Sequence, residues 1–404
     1  MQILGASRVF LCDNDFNVAK DFGVVFDSKI LEVGNYKELC LKYKNAKASF
    51  FDNSILMPSF SNPHIHFEFS GNNGTLELGD FGIWLRSVMK NRDYLMRHCE
   101  IHIERAIKEQ LKSGVSAVGA ISSYGLDIKL LAKSPLKVVL FNEILGSKEE
   151  LIDTLFSNFI ARFEESKSFE SPNFKPALAI HSPYSVHPKL AKKVLDLESN
   201  ALISTHFLES SHERVFLDKN IGFFNSFYKD FLNLKKPFYS ADSFLDLFSS
   251  HKKVLFAHCL FANEAEFKRI FEMGFCISCP KSNKLLSNKM LEPSRLNTNK
   301  MGIATDGKSS NNNLDFLDEL RIALFASNQD IATRANELIL QATKINANAL
   351  DLNSGEIKEG MDADFCIFNL DCVDVQNLAL HFILYAKAPH KMYINGKEIE
   401  DINN

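Results

Sequence analysis

Short apolar runs alternate with helix-like segments through most of this chain, and that alternation restricts the possible folds more than any other feature. Between the runs, apolar residues recur every three to four positions, as in Cys99–Lys112 and Glu264–Met273. Strands that alternate with helices favour parallel pairing through right-handed crossovers. Eight such units predict an α/β fold, a (β/α)8 TIM-like barrel. The first run, residues 55–60, precedes His64, and the other seven are Val115–Ile121, Lys137–Ile144, Pro176–His181, Ala201–His206, Val254–His258, Phe275–Cys279 and Met301–Thr305.

The two ends of the chain have a different sequence pattern from the rest. Residues 1–54 and 355–404 contain short strand-like pieces separated by turns, and Asn395-Gly396 is typical of a hairpin turn. Chain termini often lie close together in a folded protein. The two ends therefore predict one small β-sandwich domain, built from both termini, beside a barrel of residues 55–354.

Composition and charge limit the possible partners. The chain has 404 residues, of which 46% are hydrophobic, so it can bury a large core. The net charge is only -4, and the absence of a basic patch argues against nucleic acid and membrane surfaces as partners. No apolar segment is long enough to span a bilayer, and the N-terminus lacks the layout of a signal peptide. These properties predict a cytoplasmic protein.

Ionisable side chains stand at the ends of several predicted strands. In barrel enzymes the catalytic groups come from these ends, which meet at one face of the barrel. Alternate residues on a strand point to the same side, so two histidines separated by one residue can hold one ion together. The residues at these ends are His64 and His66 after the first run, then His181, His206, His258 and Asp306. Together they predict a metal site.

The residues around these positions resemble the amidohydrolase superfamily, and more narrowly its cytosine-deaminase-like and chlorohydrolase-like branch. The resemblance covers nearly the whole chain. Its motifs are Asn62-Pro63-His64-Ile65-His66, His181-Ser182-Pro183-Tyr184, Thr205-His206-Phe207-Leu208-Glu209, Cys279-Pro280-Lys281-Ser282-Asn283 and Thr305-Asp306-Gly307-Lys308-Ser309.

The resemblance implies one divalent metal ion as the cofactor. Its ligands would be His64, His66 and His206 through nitrogen and Asp306 through oxygen. Relatives with two metals usually have a lysine at the end of the fourth strand, where this chain has His181, so one ion is expected. Zinc is the expected metal, and iron(II) would accept the same ligands.

The resemblance also implies roles for the residues near the metal. Glu209 would carry a proton between water and a ring nitrogen of the substrate, while His258 and Asp306 would orient and deprotonate the water. His181 and Trp84 would contact the substrate, although Trp84 is as well explained as a core residue. The roles of Ser282 and Asn283 stay open.

The implied activity is hydrolytic removal of an exocyclic amine, as ammonia, from a purine nucleoside. The first candidate substrate is 6-aminodeoxyfutalosine, a nucleoside of menaquinone biosynthesis, and the alternatives are adenosine, S-adenosylhomocysteine and methylthioadenosine. A chlorohydrolase or a cyclic amidohydrolase on the same scaffold, and a scaffold protein without catalysis, are further alternatives. A homodimer is expected from the resemblance alone.

Overall fold

The computed structural model describes residues 1–400 and contains two sheets. One sheet has seven strands in the order β15-β14-β13-β4-β1-β2-β3, and the other has eight in the order β12 to β5. The strands are β1 (Gln2–Phe10), β2 (Val18–Phe26), β3 (Ile30–Asn35), β4 (Lys47–Pro58), β5 (Phe60–Ile65), β6 (Val115–Ser122), β7 (Lys137–Ile144), β8 (Phe174–Ile180), β9 (Ile203–Phe207), β10 (Val254–His258), β11 (Gly274–Ser278), β12 (Met301–Ile303), β13 (Phe365–Asn369), β14 (Lys391–Ile394) and β15 (Lys397–Glu398).

The eight-stranded sheet is parallel throughout and forms a nearly closed barrel, as the alternating pattern predicts. Its strands are buried along almost their whole length, because helices cover the outside and side chains fill the inside. The helices are α1 (Tyr36–Lys42), α2 (Phe81–Leu95), α3 (Cys99–Lys112), α4 (Ile128–Lys133), α5 (Ile152–Lys167), α6 (Pro188–Leu195), α7 (Ser211–Lys219), α8 (Phe223–Phe227), α9 (Ala241–Asp246), α10 (Glu264–Met273), α11 (Pro280–Ser287), α12 (Phe316–Phe325), α13 (Ile331–Leu340), α14 (Asn346–Ala349) and α15 (Leu378–Tyr385).

Side-chain hydrogen bonds help to join β5 and β12, the first and last barrel strands, which are not paired as neighbours in the sheet. The Nδ2 of Asn346, at the start of α14, donates to the carbonyls of Ser61 (2.6 Å) and Ile303 (2.7 Å). The Thr305 amide donates to Asn62 Oδ1 at 3.2 Å, and the Asp306 amide donates to the His64 carbonyl at 3.1 Å. The backbone that carries His64 is thereby tied to the backbone that carries Asp306.

Both ends of the chain contribute to the seven-stranded sheet, in agreement with the predicted partner of the barrel. The run at residues 55–60 was expected to lead into His64 as one strand, but its residues 55–58 lie in β4 of the small sheet and β5 begins at Phe60. An unbroken apolar run carries no signal for where one sheet ends and the next begins. The predicted boundary at residue 54 lies within β4, and the division into two domains stays a prediction.

No helix within residues 1–400 is long and apolar enough to cross a membrane.

Candidate active site

Five of the residues predicted for the site meet at the C-terminal end of the barrel. His64 lies in β5 and His66 one residue beyond it, His206 lies in β9, and His258 is the last residue of β10. Asp306 follows β12 by three residues. The ring centres of His64 and His206 are 4.8 Å apart, and those of His66 and His206 are 5.3 Å apart. Parallel strands therefore bring together side chains that are up to 242 positions apart in the sequence (306 − 64).

The donor atoms of four of these residues are spaced as the ligands of one ion would be. The Nε2 atoms of His66 and His206 are 3.3 Å apart. Asp306 Oδ1 lies 3.8 Å from His64 Nε2 and 3.6 Å from His66 Nε2. Four ligands about 2.1 Å from a tetrahedral zinc ion lie about 3.4 Å from one another. The observed separations fit such a site.

His64 supplies independent support for a metal. Both of its ring nitrogens are buried and have no hydrogen-bond partner. A buried polar group without a partner costs about 1–3 kcal/mol, so an imidazole in this state calls for a ligand. Burial, reinforced by the neighbouring His66, holds the pKa of His64 well below its usual value. The ring is therefore neutral at physiological pH, which is the form that binds metal.

In His206 and His258, a hydrogen bond to Nδ1 determines that Nε2 is the nitrogen that faces the cluster of histidines and Asp306. His206 Nδ1 lies 3.0 Å from the His181 carbonyl, which can only accept, so Nδ1 carries the hydrogen and Nε2 is left for a metal. His258 Nδ1 lies 2.8 Å from Asn283 Oδ1 and is assigned the hydrogen in the same way. Asn283, whose role the sequence left open, thus orients His258.

Asp306 is held as a carboxylate by its surroundings. Its Oδ2 accepts hydrogen bonds from Ser282 Oγ and Ser310 Oγ, both at 2.7 Å, and its Oδ1 accepts one from the Gly307 amide. Burial raises the pKa of Asp306, but His66, His258 and His64 together with the Ser282 hydrogen bond outweigh burial and lower the pKa to about 2. The second open residue, Ser282, therefore supports Asp306.

The backbone is strained at two of these positions. His258 has φ 69° and Asp306 has φ 59°, in the left-handed region that residues other than glycine rarely adopt. Such conformations cost on the order of 1–3 kcal/mol each and persist only where the surrounding structure imposes them. Both residues lie at or just after the end of a barrel strand, where the backbone conformation directs the side chain toward the other site residues.

Glu209 lies beside the metal-binding residues but outside their set. Its Oε1 is 3.7 Å from His258 Nε2, and His258 Nε2 is in turn 3.9 Å from Asp306 Oδ2. Burial, together with the charge of Asp306, raises the pKa of Glu209 well above its usual value. A carboxyl group that holds its proton near neutral pH can both donate and accept a proton.

Comparisons with known proteins agree with this geometry. The amidohydrolase family model matches residues 55–399. The chain belongs to the amidohydrolase family. It is 43% identical over 388 residues to the aminodeoxyfutalosine deaminase of a Nitratiruptor species, covering 94% of this chain and 96% of that protein. It is 42% identical over 411 residues to the adenosine deaminase of Helicobacter pylori, covering 98% and 99%.

A solved structure matches this amidohydrolase over its full length. The crystal structure of Helicobacter pylori aminofutalosine deaminase in complex with methylthio-coformycin superposes with a TM-score of 0.94 at 41% identity, covering 99% of this chain and 100% of that chain. The family and these relatives confirm the prediction of a hydrolytic deaminase with a TIM-like barrel.

Residues of the amidohydrolase centre line a pocket of about 420 Å³. His181 lines this pocket, and its Nδ1 is engaged by Ser185 Oγ at 2.6 Å. Trp84 also lines the pocket, and its Nε1 donates to the Ser309 carbonyl at 2.8 Å. Both residues predicted to contact substrate line this pocket, and Trp84 also packs against the hydrophobic cluster that contains Phe81. Their contact with a substrate stays a prediction.

Sequence reasoning missed Glu143, which lines the same pocket from β7. Its Oε2 accepts a hydrogen bond from Ser123 Oγ at 2.5 Å, while its Oε1 is buried without a partner, 3.7 Å from His206 Nδ1. Burial raises the pKa of Glu143 to about 8. The sequence could have indicated Glu143, because it is an ionisable residue near the end of the predicted strand Lys137–Ile144.

Glu143, His181 and His206 form another group whose ligand atoms lie within 4.8 Å of one another, and it shares His206 with the four residues described above. Two of its members already have other partners, because His206 Nδ1 bonds to the His181 carbonyl and His181 Nδ1 bonds to Ser185. The set of His64, His66, His206 and Asp306 fits an ion better, because both ring nitrogens of His64 lack a partner and Asp306 is held as a carboxylate, whereas burial raises the pKa of Glu143.

Proposed function

We propose that this amidohydrolase removes the amino group from C6 of an aminated purine nucleoside, and that its preferred substrate is 6-aminodeoxyfutalosine. The name of the Nitratiruptor relative, which shares 43% of its residues with this chain, supports that substrate. The reaction adds water across the C6–N bond and leaves an oxo group on the ring and ammonia. Through this substrate the enzyme would serve menaquinone biosynthesis.

His64, His66, His206 and Asp306 are proposed to hold one divalent ion, with zinc as the expected metal and iron(II) as the alternative. A bound ion of this kind makes water acidic enough to supply hydroxide near neutral pH. The chain's contribution is to present three neutral imidazoles and one carboxylate, which the pKa values of His64 and Asp306 favour.

The proton transfers are assigned to Glu209 and His258. Glu209 gives its proton to the ring nitrogen next to C6, which makes that carbon electrophilic, and it recovers a proton from the water. His258 Nε2 faces both Glu209 and Asp306, so it can accept a hydrogen bond from the attacking water and orient it. When the C6–N bond breaks, the amine leaves with the proton that these groups return to it.

The observation that carries this proposal is the contact between Glu209 and His258 beside the histidine–aspartate cluster. A hydrolase that only displaces a good leaving group has no need for a buried acid that can donate to a ring nitrogen. The arrangement therefore favours deamination over a chlorohydrolase reaction. The deaminase names of the two relatives favour deamination over a cyclic amidohydrolase reaction.

The test is ammonia release by the zinc-loaded or iron-loaded protein from a panel of amines. The panel contains 6-aminodeoxyfutalosine, adenosine, S-adenosylhomocysteine, methylthioadenosine, guanine and cytosine. We expect the highest kcat/KM for the first compound. No ammonia from any of them, with one metal per chain verified by elemental analysis, would contradict the proposal.

Adenosine is the second candidate substrate, because the Helicobacter pylori relative at 42% identity is named an adenosine deaminase. The same panel separates the two candidates. Assembly as a homodimer and location in the cytoplasm stay predictions.

A further inference from the structure

Glu209 lies in the short connection between β9, which ends at Phe207, and α7, which begins at Ser211. Leu208, the residue before it, has φ 50°, in the left-handed region that a bulky residue rarely adopts. Such a conformation persists only where the surrounding structure imposes it. The connection that carries the proposed proton donor therefore needs a specific support.

Glu213, in the first turn of α7, holds this connection with both oxygens of its carboxylate. Its Oε1 accepts a hydrogen bond from the Leu208 amide at 2.9 Å, and its Oε2 accepts one from the Glu209 amide at 3.0 Å. Glu213 is fully buried, so water does not compete for these bonds. The carbonyls of the same two residues are held as well, that of Leu208 by the Phe261 amide and that of Glu209 by Ser287 Oγ, both at 3.1 Å.

Glu213 does not make the contact that is usual for its position in the helix. Ser210 is the N-cap of α7, and a glutamate three residues after the N-cap commonly accepts a hydrogen bond from the N-cap amide. Glu266 does so in α10, where its Oε2 accepts a hydrogen bond from the amide of the N-cap Asn263 at 2.7 Å. Glu213 bonds instead to the two amides that precede the N-cap. This difference indicates that Glu213 supports the connection rather than the helix end.

The support matters because the chemistry assigned to Glu209 depends on where its carboxyl group lies. Glu209 is buried, and its Oε1 lies 3.7 Å from His258 Nε2. A displacement of about 1 Å in a reacting group can cost about 100-fold in rate. Among the described residues, those that line the pocket do not include Glu213, so its effect on the reaction must pass through Glu209.

We propose that Glu213 is a positioning residue whose two backbone hydrogen bonds hold the carboxyl group of Glu209 where it can transfer protons. The inference rests on the proposed function, because Glu213 affects the reaction only through the proton transfers of Glu209. A carboxylate suits this task, since it offers one acceptor oxygen to each of two neighbouring amides. An amide side chain would offer one acceptor and one donor.

Glu213→Gln keeps the size of the side chain but turns an NH2 group toward one of the two backbone amides. We expect kcat for ammonia release from 6-aminodeoxyfutalosine to fall about 100-fold, while KM stays within about 3-fold of wild type and the metal content is unchanged.

Glu266→Gln is the matched control. Glu266 is a buried glutamate at the same helix position, and its other oxygen pairs with Arg214. We expect this control to lower the midpoint of thermal unfolding but to keep kcat within about 2-fold of wild type.

The double variant Glu209→Gln/Glu213→Gln separates positioning from general destabilisation. If Glu213 acts only through Glu209, the double variant has about the same kcat as Glu209→Gln alone. Independent effects would instead multiply, and that result would overturn the inference. A Glu213→Gln variant with the kcat of wild type would overturn it as well.

Hydrogen exchange, measured on overlapping peptides that contain Leu208 and Glu209, tests the same support without turnover. In the wild type both amides should exchange slowly, because each is bonded to a buried acceptor. We expect exchange to be at least about 10-fold faster in Glu213→Gln and unchanged in Glu266→Gln. Unchanged exchange in Glu213→Gln would contradict the inference.

Failure of the proposed function has a different signature. It fails if the zinc-loaded wild type releases no ammonia or if Glu209→Gln keeps full turnover. Faster exchange confined to Glu213→Gln would in that case still support Glu213 as the residue that holds the backbone of Glu209.

Discussion

Glu209 is the residue at which the proposed chemistry can be tested most directly. Glu209→Gln keeps the size of the side chain but cannot carry a proton, so we expect kcat to fall by about 10²–10⁴-fold, the usual contribution of general acid–base catalysis. The metal content should stay at the wild-type value, because Glu209 is 3.7 Å from His258 and is not one of the proposed ligands. Elemental analysis of the purified variant checks this, and loss of the metal would make Glu209 a ligand.

The residues that the sequence could predict are those with a recognisable spacing or strand-end position. His64, His66, His206, His258 and Asp306 were found in that way, and the barrel brings them together. Glu143 stands in the same position on β7 but belongs to no motif that the sequence presented. The partners of the site were harder to predict, because the hydrogen bonds that Asn283 accepts from His258 and Ser282 donates to Asp306 depend on how the first turn of α11 packs against the centre.

At the scale of the elements, periodicity predicted the barrel strands to within a few residues. The run Lys137–Ile144 is β7 without change, and Val254–His258 is β10. The prediction of a single strand is wrong at residues 55–60, where one apolar run contributes residues to both sheets. Which neighbour a strand pairs with is decided by contacts distant in sequence, and periodicity within a strand does not encode it.

Asn346 tests how the barrel closes between β5 and β12. Its side chain bonds the Ser61 carbonyl, the Ile303 carbonyl and, at 3.1 Å, the Ile303 amide, all of them buried. Asn346→Leu leaves these backbone groups without partners, and we expect the free energy of unfolding to fall by about 3 kcal/mol or more in urea titrations. Asn348→Ala, at an exposed position of the same helix, should stay within about 0.5 kcal/mol of wild type. Equal stability of the two variants would contradict the role of Asn346.

At the scale of the whole molecule, the barrel and the terminal sheet are joined by a buried ion pair as well as by apolar contacts. Lys137, at the start of β7, is 2.7 Å from Asp362 Oδ2 and 2.5 Å from Asp364 Oδ2, and Asp364 is buried just before β13. Lys137→Met leaves Asp364 buried without its cation, which costs about 3–5 kcal/mol in comparable cases. We expect a clearly lower midpoint of thermal unfolding.

Two further variants separate the ion pair from its surroundings. Lys133→Met changes an exposed lysine nearby and should leave the midpoint of unfolding unchanged. Adding Asp364→Asn to Lys137→Met removes the unpaired charge and should recover part of the loss. A double variant no more stable than Lys137→Met would show that the carboxylate is not the source of the destabilisation.

Removal of the metal should destabilise the entire molecule, because the proposed ligands lie in or just after β5, β9 and β12, which include the two strands where the barrel closes. A ligand that binds only the folded state stabilises it by RT ln(1 + [L]/Kd), about 4 kcal/mol at 1,000 times Kd. Chelation should therefore lower the thermal midpoint by several degrees, and zinc or iron(II) should restore it. Asp306→Ala should fold, lack activity and show a much smaller response to chelator and metal. If that variant responded to metal as strongly as the wild type, Asp306 would be excluded as a ligand, and the ion would have to be held by the histidines alone.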